Sequence, residues 1–187
     1  MIAPASVGLV YLAAGRSMRF GESNKLAEFW RGKPLVRHGA DTLSKFEFGV
    51  QLAVVGAAGS LALPDSFEQI VNYEPELGLS RSIALGVSAL EPKAVEACLI
   101  ALGDMPLIPH THIEALLNAF EAASCSIVAT DCDGRIQAPA LFAREHFETL
   151  QSLRGDKGAR DIMTRAKTVG CAPDLLADFD RPEDFSD

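Results

Sequence analysis

Continuous apolar runs alternate along this chain with segments in which apolar residues recur every three or four positions. The runs Val7–Ala13 and Ala97–Leu102 are almost entirely apolar, which is typical of strands buried on both faces of a parallel sheet. Two later runs flank the turn-like pair Asp133-Gly134, a pattern that predicts a local antiparallel hairpin. We therefore predict strands over residues 7–13, 50–56, 67–72, 97–102, 126–130, 136–142 and 169–171.

Helical spacing of apolar residues separates most of these strands. We predict four helices: one after Gly32-Lys33-Pro34 with Val36, Ala40 and Leu43 on one face, one capped by Ser80 with Ile83, Val87 and Leu90, one after Pro109 with Thr111 and Glu114 at capping-box spacing, and one containing Phe147, Leu150 and Leu153. Alternating strands and helices imply βαβ units and a mostly parallel sheet. In such folds the ligand site lies beyond the carboxyl ends of the strands.

Composition indicates one ordinary globular domain spanning 1–187. The chain has 187 residues, of which 48% are hydrophobic and 22% are charged. We expect a cytoplasmic protein without a membrane partner, because residues 1–6 lack the basic and apolar regions of an export signal and no long apolar stretch occurs. The four cysteines match no zinc or redox spacing and are predicted to be reduced, with Cys98 in the core and Cys132 in a polar stretch.

Charge is unevenly distributed. The net charge of −8 and the pI near 5.0 argue against nucleic-acid binding, which needs a broad basic surface. Six of the 17 lysines and arginines nevertheless fall between positions 16 and 37. This cluster is compatible with a local anion site, and equally with a solvated surface face.

A glycine-bearing loop follows the first predicted strand. It contains Leu12, Ala13, Ala14 and Gly15, with Arg19 and Lys25 close behind. Small residues let a polyanion approach the backbone amides, and the two cations would neutralise it. The loop matches neither the dinucleotide-binding fingerprint nor the Walker pattern, and a simple turn before a helix is the alternative interpretation.

A second motif, Gly103-Asp104-Met105-Pro106, places a carboxylate where the chain leaves a buried strand. Carboxylate oxygens there suit Mg²⁺ held between substrate phosphates, although a turn is the plainer explanation. Residues 178–184 supply further carboxylates, which an exposed acidic tail would also explain. We predict that His110 and His112 lie at the surface, and we infer neither a zinc site nor a serine nucleophile.

Taken in order, the motifs resemble those of the MobA-like nucleotidyltransferase family and, within it, the molybdenum cofactor cytidylyltransferases. The resemblance covers almost the whole chain. It rests on residues 12–25, Gly32-Lys33-Pro34-Leu35, Asn72 with Gly78-Leu79-Ser80-Arg81-Ser82, residues 103–106, Pro139-Ala140-Leu141-Phe142, Gly155-Asp156-Lys157-Gly158-Ala159-Arg160 and residues 178–184.

The resemblance implies a three-layer Rossmann-like fold with a mostly parallel sheet and a small antiparallel element. It implies transfer of CMP from CTP to the phosphate of a molybdopterin-type acceptor, with Mg²⁺ as cofactor and a molybdoenzyme or its maturation factor as a further partner. The implied catalytic residues are Arg19, Lys25 and Asp104, and the implied metal ligands are Asp104 and Asp180. The implied nucleotide-binding residues are Leu12, Ala13, Ala14, Gly15, Arg19, Lys25, Asn72, Ser80, Ser82 and Asp104.

The choice of base rests on Ala14, because Leu-Ala-Ala-Gly resembles the CTP-using branch and Leu-Ala-Gly-Gly the GTP users. The chain departs from the family at Ile136-Gln137-Ala138-Pro139, which lacks the usual Gly-His, and at Arg181, which replaces a usual threonine. These departures leave two alternatives open. One is a nucleotidyltransferase that uses another NTP or another phosphorylated acceptor, and the other is a module that binds nucleotide or cofactor without turnover.

Overall fold

The fold is built on a seven-stranded sheet. The computed structural model describes residues 1–15, 24–57, 61–121, 125–177, 179 and 182–185. The strands are β1 (Val7–Ala13), β2 (Phe29–Trp30), β3 (Lys33–Pro34), β4 (Val50–Gly56), β5 (Glu68–Asn72), β6 (Ala97–Leu102), β7 (Ile127–Cys132), β8 (Arg135–Ala143) and β9 (Lys167–Gly170). The α-helices are α1 (Leu35–Leu43), α2 (Leu79–Leu90), α3 (His110–Ala119) and α4 (Phe147–Ser152).

The strand order of the sheet is β5-β4-β1-β6-β8-β7-β9, and β2 and β3 form a separate two-stranded hairpin. All pairs in the large sheet are parallel except those that β8 makes with β6 and β7. The predicted mostly parallel sheet with a small antiparallel element is therefore confirmed. β1 lies between β4 and β6 at the centre, so the ends of β1 and β6 lie side by side.

Two hydrophobic cores, one on each face of the sheet, give the fold three layers. Helices α1 and α3 pack on one face through residues such as Leu35, Leu43 and Leu116. Helices α2 and α4 pack on the other face, where Ile83 and Phe147 are buried. The predicted helical spacing of apolar residues therefore corresponds to the buried side of these helices.

The predicted helix caps were wrong. Helix α2 begins after Gly78, whose φ of +86° few other residues adopt, and Ser80 lies inside the helix. Helix α3 begins after Pro109 without a side-chain cap, so Thr111 and Glu114 do not form the capping box. Helix α4 ends at Ser152, one residue before Leu153. Within the described ranges, no helix has the length and apolar character needed to cross a membrane.

His112 is buried rather than exposed, which corrects the surface prediction made for it. Its Nε2 lies 2.8 Å from Thr130 Oγ1, and that hydroxyl donates to the carbonyl of Pro139, also at 2.8 Å. Because the single hydroxyl proton goes to Pro139, His112 Nε2 must carry a proton and donate to Thr130. Burial lowers the pKa of His112, so the neutral ring is favoured in the folded state.

Candidate active site

A cavity of about 530 Å³ lies at the carboxyl ends of β1 and β6. Leu12 and Leu102 are register partners near the ends of these parallel strands, and both line the cavity. This is the edge at which open α/β sheets bind ligands. The described residues that line it are Leu12, Ala14, Gly15, Lys25, Leu26, Pro75, Glu76, Gly78, Leu79, Ser82, Leu102, Asp104 and Asp156.

The cavity contains a close ion pair between the two glycine-charge motifs. Lys25 Nζ lies 3.0 Å from Asp104 Oδ2, and the side chains are only 10% and 27% exposed. The two residues are 79 positions apart, so the fold brings them together. A short 3-10 helix, Lys25–Ala27, holds the lysine, and Asn24 caps it by accepting a hydrogen bond from Leu26 N at 3.1 Å.

Gly103 positions Asp104, because a residue without a side chain lets the end of β6 lie close to β1. Gly103 N donates to the Leu12 carbonyl at 2.8 Å, and a Cβ at Gly103 would lie 3.1 Å from that oxygen and 3.3 Å from the Ala13 methyl group. A larger residue would push the end of β6 away from β1. The carbonyl of Asp104 accepts a hydrogen bond from Phe179 N at 3.1 Å, so the chain returns near its end to the same point.

Tyr11 supports this region from within the sheet and was not anticipated from the sequence. It is fully buried in β1, and its hydroxyl donates to the Val36 carbonyl at 2.9 Å. Burial, reinforced by the negative charge of Asp104, raises the pKa of Tyr11 far above its usual value. The phenol therefore stays protonated and acts as a fixed structural donor rather than as a base.

Asn72 and Ser82 form a buried hydrogen-bonded pair beside the first cavity. Asn72 Nδ2 donates to Ser82 Oγ at 3.0 Å, while Asn72 Oδ1 accepts from Glu74 N at 2.9 Å. Ser82 lines the cavity and Asn72 lies behind it. Since Ser82 Oγ accepts from Asn72, its proton remains available to donate to a ligand.

Ser80 does not line the cavity. Its backbone N donates to the Gly155 carbonyl at 3.1 Å, and its buried Oγ has no hydrogen-bond partner among the described residues. The hydrogen bond between Ser80 N and the Gly155 carbonyl nevertheless joins the first turn of α2 to the segment 155–160. A Cβ at Gly78 would clash with Asp156 Oδ1, so glycine is needed there for this close approach as well as for its positive φ.

A second, smaller cavity of about 140 Å³ shares Leu12, Leu79 and Leu102 with the first. Among the described residues, three with cationic side chains line it, and all three are exposed: Arg135 at the start of β8, and Lys157 and Arg160 of the 155–160 segment. The remaining lining is largely apolar: Ile83, Ile100, Met105, Ile136, Gln137, Ala138, Ala140, Phe142, Ala159 and Met163. The site thus has two adjoining compartments, with Asp156 lining one and Lys157 the other.

The structure brings most of the implied site residues together. Leu12, Ala14, Gly15, Lys25, Ser82 and Asp104 line the first cavity, Ala13 is buried beside them, and Asn72 and Ser80 contribute from behind the wall. Arg19 and Asp180 lie outside the described residues. Glu76 and Asp156 line the cavity and were not predicted; the only sequence signal was their place in the Glu74–Gly78 turn and in the 155–160 motif.

Asp104 is the residue best suited to hold a metal ion. Its Oδ2 pairs with Lys25, whereas its Oδ1 has no hydrogen-bond partner in the part of the chain that the structure describes. A cavity-lining carboxylate oxygen of this kind fits a hard divalent cation, which takes its other ligands from phosphates and water. The described residues contain no group of three or more His, Cys, Asp or Glu side chains that could hold a metal by themselves.

Similar proteins extend over almost the whole chain. Purine catabolism protein PucB of Bacillus subtilis (strain 168) is 27% identical over 99% of this chain and 96% of its own length. A molybdenum cofactor guanylyltransferase of Cupriavidus taiwanensis is 28% identical over 95% of this chain and 90% of its own.

Solved structures show the same fold. That of Rv0371c from Mycobacterium tuberculosis H37Rv has a TM-score of 0.80 and 22% identity, covering 98% of this chain and 97% of its own. A structure of Rv0371c in complex with manganese has a TM-score of 0.76 and 21% identity, covering 96% of each chain. Residues 9–169 match the MobA-like NTP transferase domain, and the chain therefore belongs to this family of nucleotidyltransferases.

Proposed function

We propose that this protein is a divalent-metal-dependent cytidylyltransferase that transfers CMP from CTP to the phosphate of a molybdopterin-type cofactor and releases pyrophosphate. The observation that carries the proposal is the Lys25–Asp104 pair, 3.0 Å apart, in a cavity that adjoins a second cavity lined by three cations. The first compartment would take the nucleotide and the second the acceptor.

The triphosphate would lie at the Lys25–Asp104 end of the first cavity. Lys25 supplies a positive charge that is already held in place. Gly15 leaves the backbone open, since no atom of the described residues lies within 4 Å of a Cβ built there. A divalent ion on Asp104 would supply Lewis-acid charge at the phosphoryl oxygens. The manganese complex of Rv0371c supports a divalent ion in this fold. Arg19 as a second cation and Asp180 as a second ligand are proposed from the sequence motifs alone.

The reaction needs no general base, because a phosphate acceptor is already an anionic nucleophile near neutral pH. An acceptor oxygen attacks the α-phosphorus, a new P–O bond forms, and the bond to the β-phosphate oxygen breaks to release pyrophosphate. The protein must offset the repulsion between two anions and align them for in-line attack. On the nucleotide side, Lys25 would neutralise part of this negative charge. On the acceptor side, the cations that would do so are Arg135, Lys157 and Arg160.

The proposed base preference rests on Ala14. Its side chain lines the cavity and is 7% exposed, so its methyl group takes space that a glycine would leave to the base. The smaller space favours a pyrimidine base over the larger purine. Ser82 offers a donor to the carbonyl oxygen or ring nitrogen of cytosine, or to the ribose. Transfer of GMP from GTP is the second candidate, because several relatives are named molybdenum cofactor guanylyltransferases.

The proposed acceptor fits the second cavity in chemical character. Its apolar wall suits a planar ring system, and its three cations suit a terminal phosphate. Sugar phosphates and isoprenoid-precursor phosphates share the phosphate but lack the planar ring. The 140 Å³ of this compartment is too small for a large acceptor to be enclosed completely, so part of the acceptor would remain exposed.

The test is transfer of label from α-labelled CTP to purified molybdenum cofactor, with GTP, ATP and UTP in parallel and the other phosphates as acceptors. Expected is a CMP adduct of the cofactor with stoichiometric pyrophosphate, abolished in Asp104→Ala and retained in Asp65→Asn, a change at an exposed position. Faster transfer from GTP than from CTP would show that the enzyme prefers guanine to cytosine. Nucleotide binding without pyrophosphate release with every acceptor would show a binding module instead of an enzyme.

A further inference from the structure

Two cysteines lie at the carboxyl ends of β7 and β9. Neither is among the described residues that line the two cavities, although Cys132 is the register partner of Arg135, which lines the second cavity. The parallel pairing of these strands runs through Thr130 with Val169 and Asp131 with Gly170. Cys171 N then donates to the Asp131 carbonyl at 2.9 Å, which continues the ladder by one more residue. Cys132 and Cys171 are therefore the next opposed pair.

Both side chains occupy the same face of the sheet. Side chains alternate along a strand, so Cys132 lies on the face of Thr130 and Cys171 on that of Val169. Thr130 bonds to His112 of α3, and both Val169 and Cys171 pack against the core on the α3 side. Opposed residues on neighbouring strands are about 4.8 Å apart, and disulfides join Cα atoms about 4.4 to 6.8 Å apart. The backbone spacing expected for this pair is therefore within the range that a disulfide spans.

The electrostatics of the pair agree with this proximity. Burial raises the pKa of the Cys171 thiol, and the negative charge that Cys132 carries when it is a thiolate raises that pKa further. Both residues are half-buried, so a small reagent can reach them. The other cysteines are placed differently: Cys98 is fully buried, and Cys125 precedes β7, about 20 Å from Cys132 along an extended strand.

We propose that Cys132 and Cys171 form a reversible redox dithiol site that low-molecular-weight disulfides, such as oxidised glutathione, convert to an intramolecular disulfide. All four cysteines are free thiols in the structure. The site is independent of the nucleotide chemistry proposed above.

The oxidation proceeds by two thiol–disulfide exchanges. The Cys132 thiolate attacks one sulfur of oxidised glutathione, forming a mixed disulfide and releasing one glutathione thiolate. Cys171 loses its proton to water, and its sulfur attacks the Cys132 sulfur, forming the protein disulfide and releasing the second glutathione. Cys132, like Cys171, loses its proton to water, and each released glutathione thiolate takes a proton from water. In total, two electrons and, through water, two protons pass from the protein to two glutathione molecules.

The disulfide would anchor the segment that leads back to the active site. From Cys171 the chain passes through the 3-10 helix Pro173–Leu176 to Phe179, whose N–H donates to the Asp104 carbonyl. In the reduced protein, β9 holds the start of this segment through only four residues at the edge of the sheet. We expect slower amide hydrogen exchange over residues 171–177 after oxidation.

The test is peptide mapping of the full chain, without reduction, after incubation with excess oxidised glutathione. Expected is one cross-linked peptide pair joining positions 132 and 171, a chain mass lower by two hydrogens, and a fall from four to two thiols that react in denaturant. Cys125→Ser should leave the cross-link unchanged, whereas Cys132→Ser and Cys171→Ser should abolish it.

Three outcomes would overturn the proposal: four thiols remaining after prolonged incubation, separate glutathione adducts on Cys132 and Cys171, or a cross-link that involves Cys125. The unsubstituted protein decides each of these, so the proposal can be refuted even where a serine variant folds poorly. Circular dichroism of the variants shows whether loss of the cross-link reflects loss of the thiol alone.

Discussion

Replacing Lys25 with methionine removes the ammonium group while keeping the length of the side chain. The remaining Asp104 carboxylate is 27% exposed and would lose its cationic partner at 3.0 Å. At an effective dielectric constant near 20, the attraction across 3.0 Å is about 5.5 kcal/mol, and desolvation of both groups offsets much of it. We expect a net coupling of about 2 kcal/mol, in the range measured for hydrogen bonds to charged groups.

The assay is a double-mutant cycle in urea with Lys25→Met, Asp104→Asn and the combined variant. Each single change should lower the free energy of unfolding by about 2 kcal/mol, and the double variant should lose about 2 kcal/mol less than the two together. Nucleotidyl transfer should behave differently. The double variant should stay at least about 100-fold slower than the parent protein, because restored stability does not restore the charges that act on the phosphates.

Two results would exclude this interpretation. Additive losses of stability, with a coupling below about 0.5 kcal/mol, would show that the ion pair does not form in solution. Unchanged kcat/KM in Lys25→Met would show that the triphosphate does not lie at this end of the cavity. The first result concerns the structure and the second concerns the proposed function, so they can be distinguished.

Three further changes test other parts of the structure. Gly78→Ala should destabilise the protein by about 1–3 kcal/mol in urea, because of its φ of +86° and the clash with Asp156 Oδ1. Gly56→Ala, whose new Cβ would have no atom of the described residues within 4 Å, should be within about 0.5 kcal/mol of the parent. Equal stability of the two variants would contradict the packing described. The lowered pKa of His112 means that this residue binds a proton more readily in the unfolded chain than in the folded one. The contribution of His112 to the free energy of unfolding is therefore complete above about pH 6.5 and is lost as the pH falls through the folded-state pKa. Urea titrations between pH 8 and 5 should show this loss of stability, and the same loss in His112→Gln would show that another group causes it. Ser82→Ala should raise the KM for the nucleotide about 3- to 10-fold with little change in kcat, which corresponds to one hydrogen bond, and an unchanged KM would exclude a ligand contact at this hydroxyl.

The central strands could be predicted to the residue because their boundaries are local. Val7–Ala13 and Ala97–Leu102 are buried on both faces, so an unbroken apolar run marks each from its first residue to its last. The placement of both carboxyl ends at one edge of the sheet also followed, since it needs only parallel strands. Two short motifs were therefore enough to predict that Lys25 and Asp104, 79 positions apart, belong to the same site. That these two strands, β1 and β6, are direct neighbours was shown by the structure.

Features that depend on distant partners could not be predicted in this way. Ser80 is a favourable N-cap residue by type, but α2 starts at Gly78 because the segment at Gly155 and Asp156 packs against that position. His112 is polar and follows a helix start, yet Thr130, 18 residues later, provides the partner that allows its burial. Asp156 lines the cavity because the 155–160 segment packs against Gly78 and Ser80, so its position required the folded chain.

A crystal structure with CTP and Mn²⁺, read by anomalous scattering, would locate the metal and the nucleotide together. We expect a manganese peak about 2.2 Å from a carboxylate oxygen of Asp104, the triphosphate between that ion and Lys25, and the base beside Ala14 and Ser82. Nucleotide bound in the first cavity with no metal peak on Asp104, or with Asp104 turned away from the phosphates, would disprove the proposed site.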